Sequence, residues 1–234
     1  MYNEKKVYVL IVAAGSGKRM GKSIPKQFLE LDGKMIIDRT IATFEKNEYI
    51  DGIYLVINET DEEFVQKELA YERPSIKGIT YGGKERVNSV FNGLEFIKNK
   101  NELENSIILV QDGVRPFVSQ KMIRNCIELA DEKDVAIPVL DIVDTLRCVN
   151  KNGTVKKTVD RNKYKVTQTP QGFNGQKLFD LYCKLLDEGA NVTDDACVFE
   201  YFGEKVYYFP GLQKNLKITT PFDLKVGELI ARMI

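Results

Sequence analysis

The sequence has no histidine and no tryptophan in 234 residues, and its 34 basic residues are matched by 34 acidic ones. Without histidine there is no imidazole for a Ser-His-Asp triad or a general base, and most zinc sites lose their ligands. Any chemistry must therefore run on Lys, Arg, Asp, Thr and a bound metal. Balanced charge gives bulk electrostatics no preference for nucleic acid or a membrane surface, so an anion site has to come from local placement of charge. Long hydrophobic runs are missing too: residues 7–14 are too few to span a bilayer, and no secretory leader pattern precedes them. The four cysteines, Cys126, Cys148, Cys183 and Cys197, are scattered with no C-x-x-C pair. They are read as reduced thiols in a cytoplasmic protein.

What is present is a rhythm. Val7-Tyr8-Val9-Leu10-Ile11-Val12 is a near-continuous apolar, β-branched run of the kind buried on both faces of a sheet, and it ends in the turn Ala13-Ala14-Gly15-Ser16-Gly17. The pattern predicts further strands over 52–57, 79–81, 106–110 and 135–139, and helices over 36–47, 62–70, 87–98 and 120–131. This alternation argues for an α/β fold with a doubly wound, mostly parallel sheet. Such sheets bind ligands beyond the carboxyl ends of their strands. The turns at Gly15, Gly82 and Asp112 all fall at such ends and are expected to converge.

One stretch breaks the rhythm. Residues 144–149 and 154–159 flank Asn150-Lys151-Asn152-Gly153, and Asn-Gly between two alternating segments signals a β-hairpin. These strands carry too few large apolar residues to be core. They are expected to form an arm, about residues 140–166, inserted in a single domain spanning 1–234. A two-stranded ribbon is marginal alone and should pack on something.

The turn after the first strand admits three readings. As a Walker loop ending at Gly21-Lys22-Ser23 it lacks its first glycine, where Ser16 stands. As a dinucleotide fingerprint it fails at Met20. As a nucleoside triphosphate loop it fits, because small residues let backbone N–H groups approach phosphates while Arg19 and Lys26 supply charge.

Ala13-Ala14-Gly15-Ser16-Gly17-Lys18-Arg19-Met20, followed by Pro25-Lys26-Gln27-Phe28-Leu29, resembles the signature of the sugar- and polyol-phosphate nucleotidyltransferases. Within them the Pro-Lys-Gln triplet resembles the cytidylyltransferase branch that makes CDP-methylerythritol or CDP-ribitol. The resemblance runs in order through Gly82-Gly83-Lys84-Glu85-Arg86-Val87-Asn88-Ser89, Asp112-Gly113-Val114-Arg115-Pro116, Asp160-Arg161 and Gln168-Thr169-Pro170-Gln171. It continues through Thr193-Asp194-Asp195-Ala196 and Asn215-Leu216-Lys217-Ile218-Thr219 to Pro221-Phe222-Asp223-Leu224.

The resemblance implies attack by a polyol phosphate oxygen on the α-phosphorus of CTP, with Mg²⁺ carried by the triphosphate. Both reactants are anions, so cations must cancel their repulsion. Arg19, Lys26 and Lys217 are the implied catalytic residues. Ala13, Ala14, Gly15, Ser16, Gly17, Gly82, Arg86 and Ser89 are the implied CTP contacts. Arg161, Asp112, Arg115, Thr145 and Thr169 are the implied positioning residues for the polyol phosphate. Asp112 is read three ways, as a partner of the polyol or ribose hydroxyls, as an approach to Mg²⁺, or as an Asx residue starting a turn. Ser89 is alternatively a helix N-cap, and Thr193, Asp194 and Asp195 alternatively cap the helix that follows. The family also implies a homodimer that exchanges arms, with Thr145 and Arg161 reaching the partner's site.

Two departures stand out. Gln111 occupies the position before Asp112 where the family usually has histidine, and features of both the methylerythritol and the ribitol branches are present. The methylerythritol branch is favoured by Thr158-Val159-Asp160-Arg161 and Thr193-Asp194-Asp195. The ribitol branch is suggested by Val114-Arg115-Pro116-Phe117. A nucleotide-binding regulatory module without turnover is the remaining alternative.

Overall fold

The structure, a computed structural model, describes residues 1–15, 24–70 and 73–233. Its frame is β1 (Lys6–Val12), β4 (Gly52–Ile57), β5 (Ile76–Tyr81) and β6 (Ser106–Asp112), which lie in the order β6-β1-β4-β5 and pair in parallel. The sheet extends past β6 through β11 (Gln171–Asn174), β7 (Val135–Asp141) and β10 (Lys165–Thr167), with β12 (Tyr207–Pro210) pairing β7. β11 runs antiparallel to β6 and β7, and β10 antiparallel to β7, so the sheet is mixed and its parallel part carries the site. A small ribbon, β2 (Glu30–Leu31) and β3 (Lys34–Met35), stands apart.

Period-two side-chain alternation on β1 divides the core. Val7, Val9 and Ile11 face one layer with α1 (Ile36–Glu45) and α4 (Gln120–Lys133), while Tyr8 and Leu10 face α3 (Arg86–Asn99), α5 (Gly175–Asp187) and α6 (Ala196–Tyr201) on the other. Helices on both faces are the doubly wound arrangement expected. α7 (Pro221–Ala231) belongs to a third, smaller cluster of Leu31, Ile36, Phe117 and Ile218.

The helix expected over 62–70 is shorter than its pattern suggests. α2 (Glu62–Val65) holds one α-turn, after which Gln66–Ala70 widens into a π-turn that still buries Leu69. No helix of the described residues is long and apolar enough to cross a membrane.

The arm is a hairpin of β8 (Arg147–Val149) and β9 (Val155–Thr158), shorter than its alternating pattern, with a register shift between Cys148 and Val149. Its turn closes through Asn150 N–H to the Thr154 carbonyl at 2.9 Å. Gly153 sits there at φ +84°, where a side chain would be strained. Residues 150–158 are all exposed, as are Val143, Tyr164 and Val166.

Candidate active site

Three strand ends converge as their turns suggest. Ala13 N–H donates to the Val56 carbonyl at 2.7 Å, Gly82 N–H to Ile57 at 2.8 Å, and Gly113 N–H to Val12 at 3.0 Å. They enclose a cleft of about 460 Å³ lined by Ala13, Ala14, Gly15, Lys26, Arg86, Ser89, Asp112 and Lys217, among others. Eight residues implied by the resemblance, drawn from the first turn to the last third of the chain, thus share one cavity. Ser16, Gly17 and Arg19 lie outside the described residues.

Asp112 is the electrostatic centre. Its carboxylate oxygen Oδ2 accepts from Arg115 Nε and from Lys217 Nζ, both at 3.0 Å, and the residue is only 7% exposed. Burial alone would push its pKa up, but Lys217, Arg115 and Arg86 outweigh it and hold the carboxyl below its ordinary 3.8. A folded-state pKa below the unfolded value means the unfolded chain binds more protons as pH falls through this window. Stability from Asp112 is therefore complete above pH 3.8 and is lost as acid titrates the folded carboxyl. In urea titrations Asp112→Asn should lower stability at pH 7 and flatten the loss of stability below pH 4. An unchanged acid slope would show that Asp112 is not coupled to its cations.

Arg115 and Thr169 do not line the cleft. Thr169 Oγ1 accepts from the Asp112 backbone N–H at 3.1 Å, and Arg115 Nη1 donates to the Asn215 carbonyl at 2.9 Å. Asn215, fully buried, donates to the Thr169 carbonyl at 2.8 Å. These residues brace Asp112 and the segment carrying Lys217 from behind. Lys217 then reaches Asp112 across 105 positions of sequence.

The side of the cleft nearest α3 is shaped by close packing. A Cβ on Gly82 would lie 2.3 Å from Ala14 Cβ and 2.9 Å from Ser89 Oγ, so only glycine lets these turns meet. Ser89 is not the helix cap: Glu85 and Asn88 form a capping box, and Ser89 lies a turn further in. Its hydroxyl donates to the Glu85 carbonyl at 3.0 Å and accepts from Gly83 N–H at 3.1 Å, fixing the glycine turn.

The Thr193-Asp194-Asp195 segment divides its labour. Asp194 Oδ1 accepts from Cys197 N–H at 3.0 Å and does the capping, although Asp195 is the position before α6. Asp195 instead grips Arg86, with Nη1 to Oδ1 at 2.8 Å and Nη2 to Oδ2 at 2.6 Å. Burial opposes the Arg86 charge and Asp195 more than restores it, so the guanidinium pKa is raised.

Gln111 points elsewhere. It is fully buried and its amide donates to the Arg115 carbonyl at 3.1 Å, holding the turn that follows Asp112. Thr145 and Arg161 are exposed on the arm segment and line no part of this cleft, and an Arg161 Nη1 donates to the Val143 carbonyl.

Three contributors hold roles that the sequence does not state. Gln27 Nε2 donates to the Ala13 carbonyl at 2.7 Å and anchors the first turn; its place in the Pro-Lys-Gln triplet was a usable signal. Asn58 lines the cleft just past the end of β4, where the strand-end rule applies but no motif marks it. Nothing local to Asp195 predicts a bond to Arg86, 109 positions away.

The family described as "IspD: 2-C-methyl-D-erythritol 4-phosphate cytidylyltransferase" matches residues 7–233. A protein of that name from Clostridium botulinum is 41% identical over 226 residues, covering 96% of this chain and 98% of the relative. One from Phocaeicola vulgatus is 41% identical over 95% of this chain and 98% of its own. Among solved structures, 4-diphosphocytidyl-2C-methyl-D-erythritol synthase from Anaerococcus prevotii superposes with a TM-score of 0.84 at 31% identity, covering 97% and 96% of the two chains. The Francisella tularensis 2-C-methyl-D-erythritol 4-phosphate cytidylyltransferase gives 0.80 at 33% identity, covering 96% and 99%.

Proposed function

Because the chain belongs to the 2-C-methyl-D-erythritol 4-phosphate cytidylyltransferase family, we infer that its cleft transfers CMP from CTP to that polyol phosphate in isoprenoid precursor biosynthesis. The observation that carries this is the meeting of Ala13, Gly15, Lys26, Arg86, Asp112 and Lys217 in one cleft. The named relatives favour methylerythritol phosphate and give the ribitol branch no support.

A non-bridging oxygen of the polyol phosphate forms a bond to the α-phosphorus of CTP. The bond from that phosphorus to the α–β bridging oxygen breaks, and pyrophosphate leaves with the electron pair. The phosphate nucleophile, with a second pKa near 6, is already ionised near neutral pH and needs no general base. A chain without histidine loses nothing here. Lys26 and Lys217 stabilise the charge growing on the phosphates, and Asp112 holds the Lys217 ammonium in place.

Magnesium fits this cleft as a passenger of the triphosphate. Among the described residues no cluster of three His, Cys, Asp or Glu side chains could hold a metal by itself. Asp112, one of two carboxylates lining the cleft with Glu85, would face the ion as a hard oxygen donor suited to Mg²⁺. When bound, the ion supplies further neutralisation of phosphate charge. The chain acts in the cytoplasm, and its partners are CTP and the polyol phosphate.

The arm favours a homodimer. Thr145 and Arg161 stand exposed on a ribbon that leaves its own cleft without a contact from either. Two arms exchanged across a two-fold axis would bring each Arg161 to the partner's phosphate site, where its fork suits a bidentate grip.

Nucleotide choice provides a direct test. The turn at Gly82 is packed against Ala14 and Ser89 with no room for even a methyl group, so this wall beside the cleft has little freedom to widen for a larger base. CTP should exceed ATP in kcat/KM by on the order of 10², measured as pyrophosphate release with methylerythritol phosphate. Comparable use of ATP would return the cleft to generic phosphate binding.

A further inference from the structure

Asp195 is fully buried and lines no part of the cleft, whereas Arg86, bonded to it, does. Both Asp195 oxygens are engaged by the Arg86 guanidinium, and Oδ1 also accepts the Tyr182 hydroxyl at 2.6 Å. Tyr182 is itself fully buried in the α5 layer. A bidentate pair of parallel N–H bonds fixes the guanidinium plane as well as its position. A buried ion pair is weak evidence for stability, since desolvation offsets most of the attraction.

The backbone around Asp195 is held as firmly. Gln171 on β11 donates to Asp194 Oδ2 at 2.9 Å and accepts from Ala196 N–H at 3.1 Å, so both neighbours of Asp195 are tied to one buried side chain. Two residues earlier, Thr169 bonds the Asp112 backbone. One short segment thus supports both Asp112 and the loop behind Arg86.

We propose that Asp195 is a positioning residue which, braced by Tyr182 and Gln171, sets the plane of Arg86 before the nucleotide enters and so governs CTP affinity. The inference rests on the reading of the cleft as a CTP site. A loose arginine at a cleft rim would have to be ordered by the ligand, and that ordering entropy would be subtracted from binding. Pre-setting Arg86 removes the loss. The chemical step, which runs on Lys26, Lys217 and Asp112, is left to other groups.

The test uses Asp195→Asn, which keeps shape but weakens the bidentate grip, and Tyr182→Phe, which removes one hydroxyl. Asp195→Asn should raise the KM for CTP about tenfold or more, with kcat within about threefold of the parent. Tyr182→Phe should raise KM by a smaller factor in the same direction. The double variant Arg86→Ala/Asp195→Asn should be no worse than Arg86→Ala alone, because Asp195 acts only through Arg86. Slow rotation of the Arg86 guanidinium, seen as resolved Nη resonances by NMR without nucleotide, should be present in the parent and lost in Asp195→Asn. If Asp195→Asn does not fold, Tyr182→Phe decides by the same two readouts. Unchanged KM in a folded variant, additive losses in the double variant, or Arg86 rotating freely in the parent would each overturn the proposal. Absence of CTP turnover in the parent would instead overturn the functional reading, and the NMR measurement would still judge the clamp.

Discussion

Replacing Lys26 by alanine is expected to lower kcat by on the order of 10² or more, while CTP binding weakens less. Lys26 follows Pro25 at the start of a single 3₁₀ turn, Lys26–Phe28, whose other residues are anchored: Gln27 to the Ala13 carbonyl, Phe28 within the core beneath the cleft. The ammonium is therefore delivered to the cleft from a rigid base, and electrostatic groups stabilise a transition state best when they need no reorganisation. Charge accumulates on the phosphates as pyrophosphate departs, so the interaction strengthens between ground state and transition state. That asymmetry is what lowers kcat when the group is removed. A rise in KM at constant kcat would make Lys26 a uniform binder and remove it from the chemistry.

Mixing two inactive variants is expected to restore activity. Lys26→Ala disables the cleft and Arg161→Ala disables the arm, yet each leaves the other element intact. If arms are exchanged, a mixed dimer contains one site with both defects and one with neither. Random subunit exchange at equal amounts should then recover about a quarter of the parent activity, since half the dimers are mixed and half their sites are whole. The structure supplies the motive: residues 150–158 project into solvent, and the exposed Val143, Val149, Val155, Tyr164 and Val166 along the arm segment gain by being covered. No recovery, with mixed dimers shown by mass to have formed, would place Arg161 in its own chain's site.

The parallel half of the fold was legible because its signals are local. Apolar runs in β1, β4 and β6 and glycine turns at their ends state both burial and direction, and helices such as α3 and α4 carry regular apolar periodicity. The antiparallel strands β10 and β11 were not visible, since Lys165–Thr167 and Gln171–Asn174 are short, partly polar and separated by the buried Gln168-Thr169-Pro170 segment. Their pairing is decided by β6 and β7, far away in sequence. The site followed the same division. Ala13, Lys26, Arg86 and Asp112 announce themselves at motif positions beside strand ends. The bonds of Asp195 to Arg86 and of Asn215 to Thr169 are tertiary, and nothing in either residue's own neighbourhood specifies them. Arg115 and Thr169 are marked by motif alone, which does not reveal that they reach the cleft through Asp112 and Asn215.

Whether this cleft joins CMP to methylerythritol phosphate is read in one reaction followed by ³¹P NMR. With CTP, Mg²⁺ and 2-C-methyl-D-erythritol 4-phosphate, the spectrum should lose the three triphosphate signals and gain a coupled diphosphate pair together with free pyrophosphate. Ribitol 5-phosphate under the same conditions should leave CTP intact. Consumption of CTP with ribitol phosphate but not methylerythritol phosphate, or release of inorganic phosphate in place of pyrophosphate, would rule out methylerythritol phosphate cytidylyl transfer by this cleft.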